Sequence, residues 1–409
     1  MLFNFFKKTQ SNGLRNEKHH RFLPAFLYGN KEEVALILDI GSASVGAALT
    51  RIEENKPPHI FFTVRENIPF QGALSSARFL AGVNHALVQV FKKIQIAKKG
   101  DIHPARVFCT FSSPWFLLKI RHLQITKMEQ FEVTEELMNS LLNEDIQHLK
   151  EEMKGTLPLQ DIEIIEKKII QTKLNGYHIQ NPYGKKTSNI EIVATVSLSS
   201  RRAQSSIRGT LNNFFHIPDF HPGVFPLTAF SALRDMYPYR QDFIFVDITG
   251  EATDVSLVQS DLLMGTTSFP YGSNFFIREI SIGQKTPQEE AITLFSMYLR
   301  GELEEKRHTQ VENIIKRSRV EWGRHFRKTL SSLAKIGKFS PALFFTTDAE
   351  VAQLFETLMK EASLELFMGE GPDVVYLDTK TMANFISFES GVVRDPFLAI
   401  EALFAKKII

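Results

Sequence analysis

The 409-residue chain predicts an α/β protein of two lobes, with a small α+β module inserted into it. Three observations point that way. The chain is too long for one simple core, so two or more domains are expected. The same pattern, an apolar strand ending in Asp, a small polar turn and a second strand, occurs twice. It is VALILDIGSASVGAAL at Val34–Leu49 and FIFVDITGEATDVSLV at Phe243–Val258. Between the two copies, residues 112–201 have another texture, with long strand-like runs around a single helix.

Bulk composition narrows the functional classes. Hydrophobic residues make up 43% and charged residues 23%, ordinary for a globular protein. A net charge of +2 gives no global field for nucleic acid, so no nucleic-acid partner is expected. The 35 phenylalanines suit a large packed core. One cysteine, Cys109, rules out an internal disulfide framework or a Cys-rich zinc site and fits a reducing compartment. No apolar run is long enough to predict a transmembrane helix, and the N-terminus lacks the pattern of a signal peptide.

In chain order, residues 1–30 form a locally basic tail. On a helical wheel Leu2, Phe3, Phe5 and Phe6 lie opposite Lys7 and Lys8, the pattern of a segment that lies in a membrane interface. Residues 34–70 read as strand, turn, strand and a third strand near His59–Val64. Apolar residues from Phe79 to Ile94 recur at helical spacing within Ser75–Lys99. Arg106–Phe111 is a further strand. In the module, strands are expected at Phe116–Ile125, Ile162–Leu174 and Ile190–Leu198. Thr134 caps a helix that opens with Glu135 and Glu136. Asn175–Lys186 is rich in turn-forming dipeptides.

Beyond the module, Ser200–Phe215 and Pro226–Met236 read as helices, with a short strand near Pro218–Phe220. The second strand–Asp–turn–strand copy follows, partnered by a strand at Leu262–Phe269. Tyr271–Asn274 predicts a helix start capped by Ser273 or Asn274. Helices are expected at Pro287–Arg300, Val311–Ile336, Ala349–Ala362 and Pro396–Lys406, with strands at Ala342–Phe345 and Val374–Leu377. The basic run Arg317, Arg319, Arg324, Arg327 and Lys328 reads as a solvated helix face.

The two Asp-turn units, about 208 residues apart, come in one order with VTEEL at Val133–Leu137, NPYG at Asn181–Gly184, FPYGSN at Phe269–Asn274 and PQEEAI at Pro287–Ile292. This order resembles the actin-like ATPase superfamily, and within it the FtsA/PilM branch of bacterial scaffold proteins, over roughly residues 34–409. The resemblance implies an actin-like (ribonuclease H-like) two-lobed fold. Its first lobe would be 31–111 and 202–240 with 386–409, its inserted subdomain 112–201, and its second lobe 241–385.

The resemblance further implies ATP between the lobes. The turn at Gly41, Ser42 and Ser44 would be the first phosphate loop, and Gly250 and Thr253 would belong to the second, with Gly272 beside them. Asp39 and Asp247 would hold Mg²⁺ through its waters, as hard cations that keep their hydration shell prefer. The chain also departs from the pattern. Thr249 and Glu251 stand where FtsA-like chains carry glycine, and Thr347 and Asp348 replace the glycines that pass under adenosine. Thr293 stands where a nucleotide-reaching lysine is expected. A glycine is what lets backbone approach a ligand closely, so the expectation is weak or vestigial ATP binding, no catalytic residue and at most weak ATPase activity.

Three functions are compatible with these residues. The first is a cytoplasmic FtsA-type scaffold that links a cell-division polymer to the inner face of the cell membrane. The second is a PilM-like platform of a type IV pilus or secretion system that binds a membrane partner's peptide. The third is an actin-fold ATPase or kinase, for which no substrate base is seen. Protein partners of a division or pilus machine, a homo-polymer or dimer, and peripheral membrane contact through the N-terminal segment are the partners implied.

Overall fold

The computed structural model describes residues 33–72, 75–97, 103–152, 161–217, 219–364 and 371–409. The amphipathic segment with Leu2, Phe3, Phe5, Phe6, Lys7 and Lys8 lies outside the described residues.

The first sheet begins with β1 (Glu33–Ile40), β2 (Ser44–Ile52) and β3 (His59–Asn67), which pair antiparallel in turn. Helix α1 (Ser76–Ala97) follows, and then β4 (Arg106–Phe111) lies parallel to β1. The strands of the module are β5 (Phe116–Glu132), β6 (Ile162–Leu174), β7 (Tyr177–His178) and β8 (Lys186–Ser200), with α2 (Glu135–Glu152) between the first two. They form a separate sheet in the order β5-β8-β6-β7. Met138, Leu142, Ile146 and Leu149 of α2 pack on one face of it, against alternate residues of β8 from Ile190 to Leu198. Thr134 caps α2 as expected, its Oγ1 accepting from the Leu137 amide at 3.2 Å.

The chain re-enters the first lobe through α3 (Arg201–Phe214), capped by the Ser200 side chain, then β9 (Asp219–Val224) and α4 (Phe225–Met236). The second large sheet is built from β10 (Phe243–Ile248), β11 (Thr253–Gln259) and β12 (Leu262–Phe269), joined later by β13 (Ala342–Thr346) and β14 (Asp373–Tyr376). Helices α5 (Ser273–Gln284), α6 (Gln288–Arg300), α7 (Glu305–Leu333) and α8 (Ala352–Ser363) belong to this half. The short β15 (Ser387–Phe388) then adds to β3, and α9 (Pro396–Ile408) closes the chain.

Strand alternation decides what each sheet faces. Leu36, Leu38 and Ile40 of β1 pack with α1 and α3, whereas Ala35 and Ile37 face α4 and α9. In β10, Ile244, Val246 and Ile248 meet the α5–α8 layer, whereas Phe243 and Phe245 join α4 and α9. Helices α4 and α9 therefore lie in one apolar layer between the two large sheets. The odd-numbered residues of β1 and β10, Asp39 and Asp247 among them, point into that layer.

Some local expectations give way to packing. The first module strand runs on to Glu132, past a register shift between Thr126 and Phe131. Helix α7 starts at Glu305, before its first buried residue Val311, because polar residues can extend a helix whose anchor lies further on. Helix α5 is not capped by Ser273 or Asn274. Gly272 holds the N-cap position with no side-chain bond, and the Asn274 amide group turns instead to Glu251. No helix among the described residues is long and apolar enough to cross a membrane.

Candidate functional site

The two Asp-turn units meet at the base of the crevice between the sheets. In each, the aspartate sits in a row of residues directly opposite one another. On the first sheet the row is Thr110–Asp39–Gly46–Arg65, across β4, β1, β2 and β3. On the second it is Thr346–Asp247–Asp254–Ser268, across β13, β10, β11 and β12. Directly opposed side chains share a face, so each row is a line of neighbouring groups.

Asp39 is not at a lip, as a strand-end carboxylate would suggest. It is buried, and its Oδ2 accepts from Arg65 Nη1 at 2.8 Å. Arg65 stands two strands away, about 10 Å by ordinary strand spacing. It can reach because the position between them is Gly46, where a Cβ would lie 2.6 Å from Arg65 Nη2. The guanidinium also donates from Nη1 to Ser44 Oγ at 2.9 Å and from Nε to Asp395 Oδ2 at 2.7 Å. Asp395 in turn caps α9 through the Phe397 and Leu398 amides, and the Phe397 ring lies 5.4 Å from the guanidinium carbon. Burial pushes the Asp39 carboxyl up to about 6, against the opposing pull of Arg65. Glu401 of α9, buried nearby, is pushed well above the usual carboxylate range by burial and then by Asp39.

Among the described residues, Asp247 has no cation paired with it. Its Oδ1 accepts from Thr346 Oγ1 at 2.8 Å, and its Oδ2 is buried without a hydrogen-bond partner. Burial first, and Asp254 second, push its carboxyl well above the ordinary range. Asp254 accepts from Ser268 and, across the crevice, from Ser113 Oγ at 2.7 Å. Its carboxyl is pushed up to about 6 by burial.

The two turns touch. Ser42 Oγ donates to Thr249 Oγ1 at 2.8 Å and accepts from the Glu251 amide at 2.9 Å. Gly250 is the close-approach point: a Cβ there would lie 2.5 Å from the Ala43 Cβ of the other turn. Several backbone groups of these turns bond within the protein. The Gly41 amide donates to the Ser44 carbonyl, and the Thr249 amide to the Ala252 carbonyl. The Ser273 and Asn274 amides, at the start of α5, donate to the Thr249 and Gly250 carbonyls. Gly272 lies against the same carbonyls, and Thr253 Oγ1 donates to the Tyr271 carbonyl at 2.7 Å.

Sequence reasoning placed these two turns but missed the cations beside them. Glu251, which stands where FtsA-like chains carry glycine, is bound by Arg278 Nη2 of α5 at 2.7 and 2.6 Å and by Asn274 Nδ2 at 2.7 Å. Arg278 also holds the Gln71 carbonyl of the first lobe at 3.0 Å. Thr293, the place expected for a lysine, lies on α6 and bonds back to the Glu289 carbonyl. Thr347 is buried, with its carbonyl accepting from Tyr376 at 3.1 Å, while Asp348 is exposed at the crevice. The signal for Arg65 was present as a long cation opposite Gly46 in the register, but no register can be read before the strands are paired.

Asp39, Gly41, Ser42, Ser44, Gly250, Arg65 and Asp348 together line a cavity of about 20 Å³. A single water needs about 10–15 Å³, so the space admits roughly one water and no triphosphate. Among the described residues no group of three or more His, Cys, Asp or Glu is arranged to hold a metal ion. As arranged, these residues do not fit Mg-ATP.

No protein-family profile matches the chain, and no curated protein matches it. Solved structures do resemble it. A PilM-PilN type IV pilus biogenesis complex aligns with a TM-score of 0.63 at 14% identity, covering 92% of this chain and 98% of that one. The ethanolamine utilization protein EutJ from Carboxydothermus hydrogenoformans aligns at 0.44 and 11% identity, covering 92% and 90%. A MamK double helical filament aligns at 0.45 and 10% identity, covering 91% and 98%. The last two scores are too low to carry an argument. The chain shares its fold with the PilM-PilN structure, in keeping with the actin-like fold the sequence predicts.

Proposed function

We propose that this actin-like chain is a scaffold on which protein partners dock, with a vestigial nucleotide cleft and no enzymatic turnover. The observation that carries the proposal is the direct contact of the two turns. Ser42 Oγ bridges Thr249 and Glu251, joining the two turns that the resemblance assigns to phosphates. Between the two scaffold readings, the likeness to the PilM-PilN complex favours a platform of the pilus type over the FtsA type that links a division polymer to membrane. On this reading the chain works in the cytoplasm and binds a membrane partner's peptide.

The first test is equilibrium ATP binding by calorimetry, with and without Mg²⁺. We expect no binding at micromolar nucleotide. Turnover at ordinary ATPase rates, abolished by Asp247→Ala, would overturn the proposal. Affinity capture of the full chain from its own cells then separates the scaffold readings: pilus-assembly proteins support the platform, and a division polymer refutes it. Peripheral membrane contact through residues 1–8 is a separate part of the proposal. Deleting them should release the chain from anionic liposomes, and an intact chain that never sediments with such liposomes ends that part.

A further inference from the structure

We propose that Arg65 is a built-in counter-cation. Its guanidinium takes the place beside Asp39 that a hydrated divalent ion would occupy, so the closed crevice is held by the chain itself and needs neither metal nor nucleotide. The inference rests on reading the cleft as a non-turnover element and says what replaced the cofactor.

Four observations carry it. The guanidinium sits on the very carboxylate, Asp39, that the resemblance assigns to the metal, and it bonds Asp395 at the same time. One planar cation with several donors thereby joins β1, β2 and the N-cap of α9, a geometry an arginine fork suits better than a point charge. Gly46 clears the line along which Arg65 reaches Asp39, since a Cβ there would lie 2.6 Å from Arg65 Nη2. The Phe397 ring lies against the guanidinium from the α9 side, so the pair is partly shielded, with Asp39 3% and Arg65 22% exposed. Finally, the counter-charge is specific to this half of the crevice. The matching row around Asp247 is met only in part, by hydroxyls of Thr346 and Ser268, and among the described residues no cation pairs with it.

A buried ion pair that loses one partner leaves the other charge uncompensated. The test follows from that. Thermal unfolding of the full chain is measured for wild type and Arg65→Ala, with millimolar MgCl₂ or with NaCl at equal ionic strength. Wild type should show the same melting temperature in both salts. Arg65→Ala should melt several degrees lower in NaCl and recover most of the loss in MgCl₂, because the vacated place at Asp39 is open to the ion. A wild-type chain stabilised by Mg²⁺ as much as the variant overturns the inference. So does a variant whose loss Mg²⁺ does not recover, or one that loses nothing.

Two further measurements keep the test decisive if Arg65→Ala does not fold. Gly46→Ala displaces the guanidinium without removing it and should acquire the same Mg²⁺ response; no response counts against the counter-cation. Calorimetric titration of wild type with MgCl₂ alone should give no binding heat, and a saturable heat refutes it outright. Partner capture is read independently. If the Mg²⁺ pattern fails while pilus partners are retained, only the counter-cation is lost. If the pattern holds and no partner is retained, the scaffold reading is what fails.

Discussion

The two halves of the crevice start from one plan and settle their buried acid differently. Thr110–Asp39–Gly46–Arg65 and Thr346–Asp247–Asp254–Ser268 occupy equivalent rows, each flanked by a threonine on the parallel strand. In the first, a glycine in the middle lets a cation cross the sheet. In the second, another carboxylate fills the middle and hydroxyls on either side satisfy what they can. The first acid is therefore answered by a cation and the second by a hydroxyl, with burial raising its carboxyl. The difference teaches that strand-Asp-turn-strand is a rule about backbone and leaves open what the aspartate does.

The comparison can be broken most severely at Arg65. Replacing it with Ala should cost about 3 kcal/mol or more, the usual penalty for orphaning a buried charge, read as chemical unfolding at neutral pH. The next effect should come from the contact between the halves. Gly250→Ala drives a methyl into Ala43 and should cost about 1–3 kcal/mol as overpacking. Ala43→Gly added to it should return much of that loss. A glycine kept for phosphate would show no such rescue, so the double-mutant cycle separates the two roles. The smallest effect should be Asp247→Asn. Burial pushes that carboxyl well above the ordinary range, and an amide of the same shape should change stability by no more than about 1 kcal/mol. A loss as large as that of Arg65→Ala would mean that Asp247 is ionised and that the two rows are alike after all.

Much of the architecture was legible in the residues. Buried strands such as Val34–Leu38 and Phe243–Val246 are continuous apolar runs, and α1 shows its buried face at three- and four-residue spacing. Caps made by short polar side chains, Thr134 and Ser200, were also local signals. Other features were set by distant partners. Two residues, Ser387 and Phe388, carry no period from which a strand could be inferred, and they pair only because β3 offers an edge. Asn274 would cap its own helix if Glu251 were not within reach.

At the site the division is the same. The two turns and both aspartates were visible, since each is one contiguous stretch. What surrounds them was not, because Arg65, Arg278, Asp395 and Ser113 come from four separate segments. The negative charge at Glu251 argued against phosphate when seen alone. In the fold it is one end of a link that runs through Arg278 to the first-lobe carbonyl of Gln71. Thus the same residue that weakened the nucleotide reading becomes part of what ties the halves together.

The Ser42 hydroxyl has a consequence at a larger scale. Each half of the crevice presents its own outer surface, and this oxygen, as donor to Thr249 and acceptor from Glu251, joins the Ser113–Asp254 and Arg278–Gln71 links in setting the spacing between them. A molecule stitched in that way behaves as a gauge block. If the proposed scaffold role holds, two partners seated on opposite halves would be held at one distance set by the chain's own side chains.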